Sequence, residues 1–360
     1  RSFSSARVRD HDWSRPAPGT APYPRLGSRS LTKEVSDARQ PVTPCNPHES
    51  PGKPLYGMHN KDDPPFPCRF RRRLGTRWKP VQLSRRSRGG GWYAGHVLAV
   101  PLGLFVFLVQ IAVGGAIVQA FLDWLEPDIS SGYFELNHLF FLLFGGAGLA
   151  LRAYLPAARM LPYDAGVPWI DLEVWAWGAF LASVAVAMVL LRARQRARAT
   201  RAGFVTAAVG LGAIVTTALA DAPPSVDPSV TVASLVLGSL ALGTSWNGMM
   251  LGHWYLNTPR LAPRPLVRLN LSMAAVLLVQ GAFVTFVAVA LLPHVLESWV
   301  VWVRLGVGLL APLLLAIPAH LTARVRSMMS ATGLLYIALG AILAGELVAR
   351  LYLFVGQAPL

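Results

Sequence analysis

The chain has 360 residues, of which 53% are apolar and only 14% charged, with 33 Lys and Arg against 18 Asp and Glu for a net charge of +15. A soluble domain carries about 25% charged residues, so this composition excludes an ordinary soluble globular protein. The imbalance is local, because residues 1–92 hold most of the Lys and Arg and residues 93–360 hold most of the apolar content.

Residues 1–92 are rich in Arg, Pro, Ser and Gly, without periodicity and without an apolar run long enough for a strand or a signal segment. Such a stretch buries too little surface to offset ordering, and is expected to be a disordered basic arm. Aromatics do not alternate with the basic residues as stacking on bases requires, so nucleic acid is not an expected partner. Cys45 and Cys68 both lie here, which leaves no thiolate for a metal or iron–sulfur site in residues 93–360.

From residue 93 on, apolar runs with at most one charged residue each recur at about 95–122, 133–151, 172–191, 203–220, 229–253, 269–292, 299–321 and 329–349. Roughly 20 such residues cross about 30 Å of hydrocarbon, so residues 93–360 are expected to be an all-α, polytopic bundle of eight transmembrane helices in a lipid bilayer. Strand-like alternation is absent, which excludes a barrel.

In chain order, span 1 carries Gln110 near mid-depth and the pair Gly114-Gly115. Span 2 opens on "YFELNHLFF", with Glu135, Asn137 and His138 close together. Asp171 and Glu173 open span 3, and the loop "RARQRARATR" leads to span 4. Span 5 closes on "WNGMMLGHWYLNTPRL". There Gly248 and Gly252 form a small-residue face for another helix, which turns His253 towards protein, and Asn247 and Asn257 flank it. Trp254 and Tyr255 read as an aromatic belt, and Thr258-Pro259 as the helix stop. Asn270 opens span 6 and Gln280 lies within it. Span 7 holds Arg304 one turn in, Pro312 and Pro318 as candidate kinks, and His320 at its end; span 8 closes with Glu346 and Arg350. That last pair is four residues apart with the acid first, the favourable helical order for an ion pair.

Lys and Arg mark the cytoplasmic ends of membrane helices. The loops after spans 3, 5 and 7 are Arg-rich, whereas "DAPPSVDPS" and "PHVLES" carry no Lys or Arg. This basic face is expected to be cytoplasmic, with both ends of the bundle on the outer face of a prokaryotic inner membrane. The Arg-rich arm conflicts with that orientation. Either residues 1–92 are non-native or one of the eight spans is misassigned; the abrupt change of composition and the lack of an initial Met favour the first reading.

Ionisable groups inside membranes cost roughly 2.5–3.5 kcal/mol each at mid-depth, so those present are functional candidates. His138, His253 and His320 share the basic face with Glu135. Two imidazoles at equal depth suit a b-type haem, with His138 and either His253 or His320 as ligands. A His beside an acid, His138 with Glu135, suits quinone protonation instead. Each His could equally be a hydrogen-bonded residue at the headgroup boundary. Glu346 and Arg350 form a competing site at the opposite face. No nucleotide-binding loop, HExxH, GxSxG or CxxC occurs in the bundle, and no internal repeat points to a common transporter fold.

The stretch "SATGLLYIALGAILAGELVARLYLFVGQAPL", through Gly345-Glu346, Arg350 and Gly356-Gln357, resembles the last helix of NrfD/DmsC-type membrane anchors. These are eight-helix subunits that exchange electrons between the quinone pool and a peripheral iron–sulfur subunit. The resemblance implies a haem-free quinol site and a partner subunit on one membrane face. The expectation is therefore a quinone-interacting subunit of a respiratory complex, with Glu135, His138, His253, Glu346 and Arg350 handling protons. The alternatives are a haem b electron-transfer protein, and a transporter or structural bundle without a redox role.

Overall fold

The structure, a computed structural model, describes residues 91–154, 168–223, 226–258 and 260–360. The basic arm, apart from Gly91 and Trp92, lies outside the described residues, as do both cysteines and Pro259. The helices are α1 (Gly91–Leu125), α2 (Ser131–Tyr154), α3 (Pro168–Arg192), α4 (Arg196–Ala220) and α5 (Pro228–Asn257). They continue with α6 (Arg264–Leu291), α7 (Trp299–Arg324) and α8 (Met328–Val355). Each contains a stretch long and apolar enough to cross a membrane, and no strand occurs among the described residues. The protein is a polytopic, all-α membrane bundle.

The helices outrun their apolar runs. The apolar segment marks the part that must lie in hydrocarbon, while the hydrogen-bond ladder continues through polar residues at each end. Caps set several ends. The Asp227 carboxylate accepts from the Ser229 backbone N–H at 2.8 Å, with Pro228 in the first turn of α5. Hydroxyls inside the apolar helices bond back to their own backbone, as Ser239 does to the Leu235 carbonyl.

α7 is not regular throughout. It is α-helical over Trp299–Val303, widens to a π-helix over Arg304–Leu310, and resumes at Ala311. Pro312 follows the wide turn directly and brings no N–H to the Gly308 carbonyl four residues back. The irregularity thus lies N-terminal to Pro312, at Arg304, rather than at the two prolines.

α1 is the central helix. Its apolar window is 72% buried and that of α5 is 56%, against 28% for α3 and for α6. α1 packs against α2, α4, α5 and α8, while α3 lies outside α2 and α4, and α6 and α7 close the other flank. Between α1 and α5 the backbones touch: a Cβ at Gly114 would lie 1.7 Å from the Ser239 carbonyl oxygen, and one at Gly243 2.1 Å from that of Gly114. Lipid tails are as apolar as Leu, so such close approach, rather than burial from water, holds membrane helices together.

Candidate functional site

Antiparallel connectivity puts the α1–α2, α3–α4, α5–α6 and α7–α8 turns on the basic face and the other turns on the opposite face. Buried polar groups gather near both.

Towards the opposite face, Glu346 of α8 sits between two guanidiniums. Arg304 Nη2 lies 2.5 Å from one carboxylate oxygen, and Arg350 Nη2 lies 3.1 Å from the other; all three side chains are fully buried. Gln280 Nε2 donates to Glu346 at 2.6 Å, and Gln110 donates to the Leu235 carbonyl at 2.7 Å. Glycines make the room. A Cβ at Gly238 would lie 2.7 Å from the Glu346 carboxylate and 2.8 Å from the Gln110 amide nitrogen. One at Gly345 would lie 2.3 Å from the Gly308 Cα, so α7 and α8 meet backbone to backbone beside Arg304. Arg350 also donates to the Leu360 carbonyl at 3.0 Å and to Ser234 at 3.1 Å, drawing residues 356–360 back onto the bundle. The pairing of Glu346 with Arg350 expected from their spacing is present, and Arg304, Gln110 and Gln280 converge on it.

A second cluster on that side joins α2, α3 and α4. Arg152 Nε donates to Glu173 at 2.9 Å, Thr217 donates to the same carboxylate at 2.7 Å, and Trp177 Nε1 donates to Thr217 at 3.0 Å. Asp221, just past α4, is buried beside them. Burial, reinforced by the Glu173 charge and opposed by Arg152, pushes its carboxyl up to about 8.

On the basic face the expected residues separate. His138 is buried, with Nδ1 2.7 Å from the Phe134 carbonyl and 2.7 Å from Gln119 Nε2. Nδ1 can donate to the first or accept from the second, one at a time. Glu135 lies 3.8 Å from Arg192. His253 is exposed, its Nδ1 3.5 Å from the Tyr336 hydroxyl, so it lies at the rim of the α5–α8 contact rather than within it. Gly252 makes that contact, since a Cβ there would lie 2.9 Å from Thr332 Oγ1. His320 is half-buried, and its Nδ1 is without a hydrogen-bond partner. Tyr255 is not a belt residue: its ring is buried and its hydroxyl donates to the Ala262 carbonyl. The exposed Trp124 at this face, and Trp175, Trp299 and Trp302 at the other, hold interfacial positions instead.

The asparagines tie helices together. Trp246 Nε1 donates to Asn137 at 3.1 Å, Asn247 donates to the Gly115 carbonyl at 3.1 Å, and Asn270 donates to the Ala316 carbonyl at 2.8 Å. The side chains of Asp171 and the loop that precedes it lie outside the described residues.

Two hollows flank the last turns of α1. One, between α1, α2 and α4, measures about 20 Å³ and is lined by Gln119, Asp123, His138, Thr200 and Thr206. Asp123 there accepts from Arg196 at 2.9 and 3.1 Å and from Thr200 at 2.5 Å. The other is a groove of about 320 Å³ between α1 and α6, floored by Leu240 and Thr244 of α5. Its walls are apolar, among them Ile117, Phe121 and Leu269, and one end is closed by Glu126 and Arg268. Arg268 Nη1 lies 2.5 Å from the Glu126 carboxylate, with Arg264 4.0 Å from the same oxygen. A volume of about 300 Å³ is the lower bound for small-molecule pockets, which the groove meets and the hollow beside His138 does not.

No family model, curated protein or solved structure matches the chain.

Sequence reasoning did not single out Asp123, Glu126, Arg152 or Asp221. All four sit just inside or beyond the end of an apolar run. Arg152 and Glu173 carried a usable signal, being charged residues at the facing ends of two consecutive spans.

Proposed function

We propose that the chain is a quinone-interacting subunit of a membrane redox complex, with the head group seated at Glu126 and Arg268 and the isoprenoid tail along the α1–α6 groove. The observation that carries this reading is an apolar groove of about 320 Å³ that ends on an acid–base pair. A quinone presents two carbonyl oxygens on a ring with a long apolar tail. Arg268 supplies a charged donor to one oxygen, and Glu126 supplies a carboxyl group that can pass a proton. Reduction of the quinone takes two electrons and two protons to give the quinol. The protons enter through Glu126, and the electrons come from a redox centre on a partner subunit.

The reading puts the head group nearer Glu126 than His138, Glu135 or His253, and keeps Glu346 with Arg350 as the competing site. It also adopts the orientation in which the basic face is cytoplasmic, which puts Glu126 on the cytoplasmic side of an inner membrane. The haem b alternative needs a macrocycle-sized space beside an imidazole, and the hollow at His138 holds about 20 Å³. Its test is a reduced-minus-oxidised absorption spectrum of the purified chain.

The test of the proposal is titration of a short-chain quinone into the full chain in nanodiscs. Removing a charged hydrogen bond worth about 1.5–3 kcal/mol predicts that Arg268→Leu weakens binding at least about tenfold. Equal affinity in wild type and Arg268→Leu contradicts the proposed seat.

A further inference from the structure

The small hollow beside His138 has a chemistry of its own. It lies under the basic face, where Ala116, Ala120 and Gly203 leave space between α1 and α4. Two buried polar atoms on its wall, Gln119 Oε1 and Thr206 Oγ1, have no protein hydrogen-bond partner, and their side chains are 3% and 1% exposed. In the hydrocarbon region an unpartnered polar atom is costly, and such atoms are met by protein or by water. One water needs roughly 10–15 Å³ and two to four polar partners. The hollow offers about 20 Å³, and with Gln119, Thr206, His138 and Asp123 around it the partner requirement is met too.

We propose that this hollow binds a single water that links the Asp123 carboxylate to the His138 ring and lets that imidazole exchange protons with the basic face. Asp123 is the outer member, its side chain 8% exposed and held by Arg196 and Thr200. His138 is the inner member, its Nδ1 engaged by Phe134 and Gln119. The charged groups around the ring are Asp123 on α1, Glu135 on α2 and Arg196 on α4, with Arg192 beyond Glu135. Only proton positions change in the transfer: a proton passes from solvent to the Asp123–water pair and on to the imidazole, and returns by the same path. The assignment does not depend on the quinone reading, since it concerns the other flank of α1.

The experiment is deuterium exchange at the imidazole Cε1–H of each histidine, read by peptide mass spectrometry on the full chain in nanodiscs. A solvent-linked His138 exchanges within about tenfold of the exposed His253, whereas a sealed one is protected further by the need for local opening. Thr206→Val keeps the volume and removes the hydroxyl, and is expected to slow His138 about tenfold without altering His253. Thr206→Ser restores the wild-type rate. Ala116→Leu, which fills the hollow from α1, acts like Thr206→Val, and unchanged exchange at His320 shows that the fold is kept. A His138 sealed in the wild type, a Thr206→Val rate equal to wild type, or a Thr206→Ser as slow as Thr206→Val each overturns the proposal.

Discussion

Glu346 is the residue on which most of the membrane-embedded charge depends. Two fully buried guanidiniums flank it, and Gln280 completes its shell. Removing one member of a buried pair leaves the rest uncompensated, at a cost of about 3–5 kcal/mol. Glu346→Gln is therefore expected to lower stability by about that amount, measured by unfolding in mixed micelles. Arg304→Met, which removes one guanidinium and leaves Glu346 paired with Arg350, should cost less. At the same scale, Asp221 gives a pH dependence. Its carboxyl is pushed up to about 8 in the fold, above the value of an unfolded chain, so the fold favours the protonated form. That stabilisation is complete below the unfolded value and is lost as pH rises through the folded one. The melting temperature should fall between about pH 4 and about pH 8 and level off above that, and Asp221→Asn should flatten the profile. Single residues were legible in the sequence where charge stood inside an apolar run, as with Arg304 and Glu346, or at helical spacing from such a charge, as with Arg350. They were not where charge stood at a run's edge: Arg196 counted only as one of several loop arginines, yet it clamps Asp123 in two hydrogen bonds.

Elements were legible because the bilayer imposes them. An uncharged run of about 20 residues has only the helix available to satisfy its backbone, so eight runs imply eight helices. How each helix is rotated about its axis is another matter. The hydropathy of a membrane helix is nearly uniform around its circumference, so the pattern does not say which side meets protein. Glycine carries part of that information. Gly114 and Gly243 mark where α1 and α5 cross, and Gly308 and Gly345 mark where α7 meets α8. The crossing at Gly114 has no room for a side chain, so Gly114→Val is expected to destabilise the bundle by about 1–3 kcal/mol or more. Gly146→Val, at a position where a Cβ meets nothing within 4 Å, is the matched control and should be close to neutral in the same assay. The wide turn at Arg304–Leu310 was hidden for a related reason: Pro312 signals a disturbance, and only the packed structure shows that it falls at the buried arginine.

At the scale of the whole molecule, the bundle has two unlike ends. Basic residues crowd the loops of one face, while the other face gathers the buried clusters around Glu346 and Glu173. The α1–α6 groove opens on the flank between them, and its polar end lies at the basic face. This groove was not legible in the sequence, because it exists only where α1 and α6 stand apart over α5. The histidines lie near the same face as the polar end of the groove, but none of them lines it. This groove is the proposed quinone seat. A quinone carrying a photoreactive azide, cross-linked to the full chain in nanodiscs and mapped by peptide mass spectrometry, tests it most directly. Label is expected on α1 within residues 117–126 and on α6 within residues 268–272, competed away by excess unlabelled quinone. Competed label around Arg304, Glu346 and Arg350 would move the site to the opposite face, and label that excess quinone leaves unchanged would contradict the account.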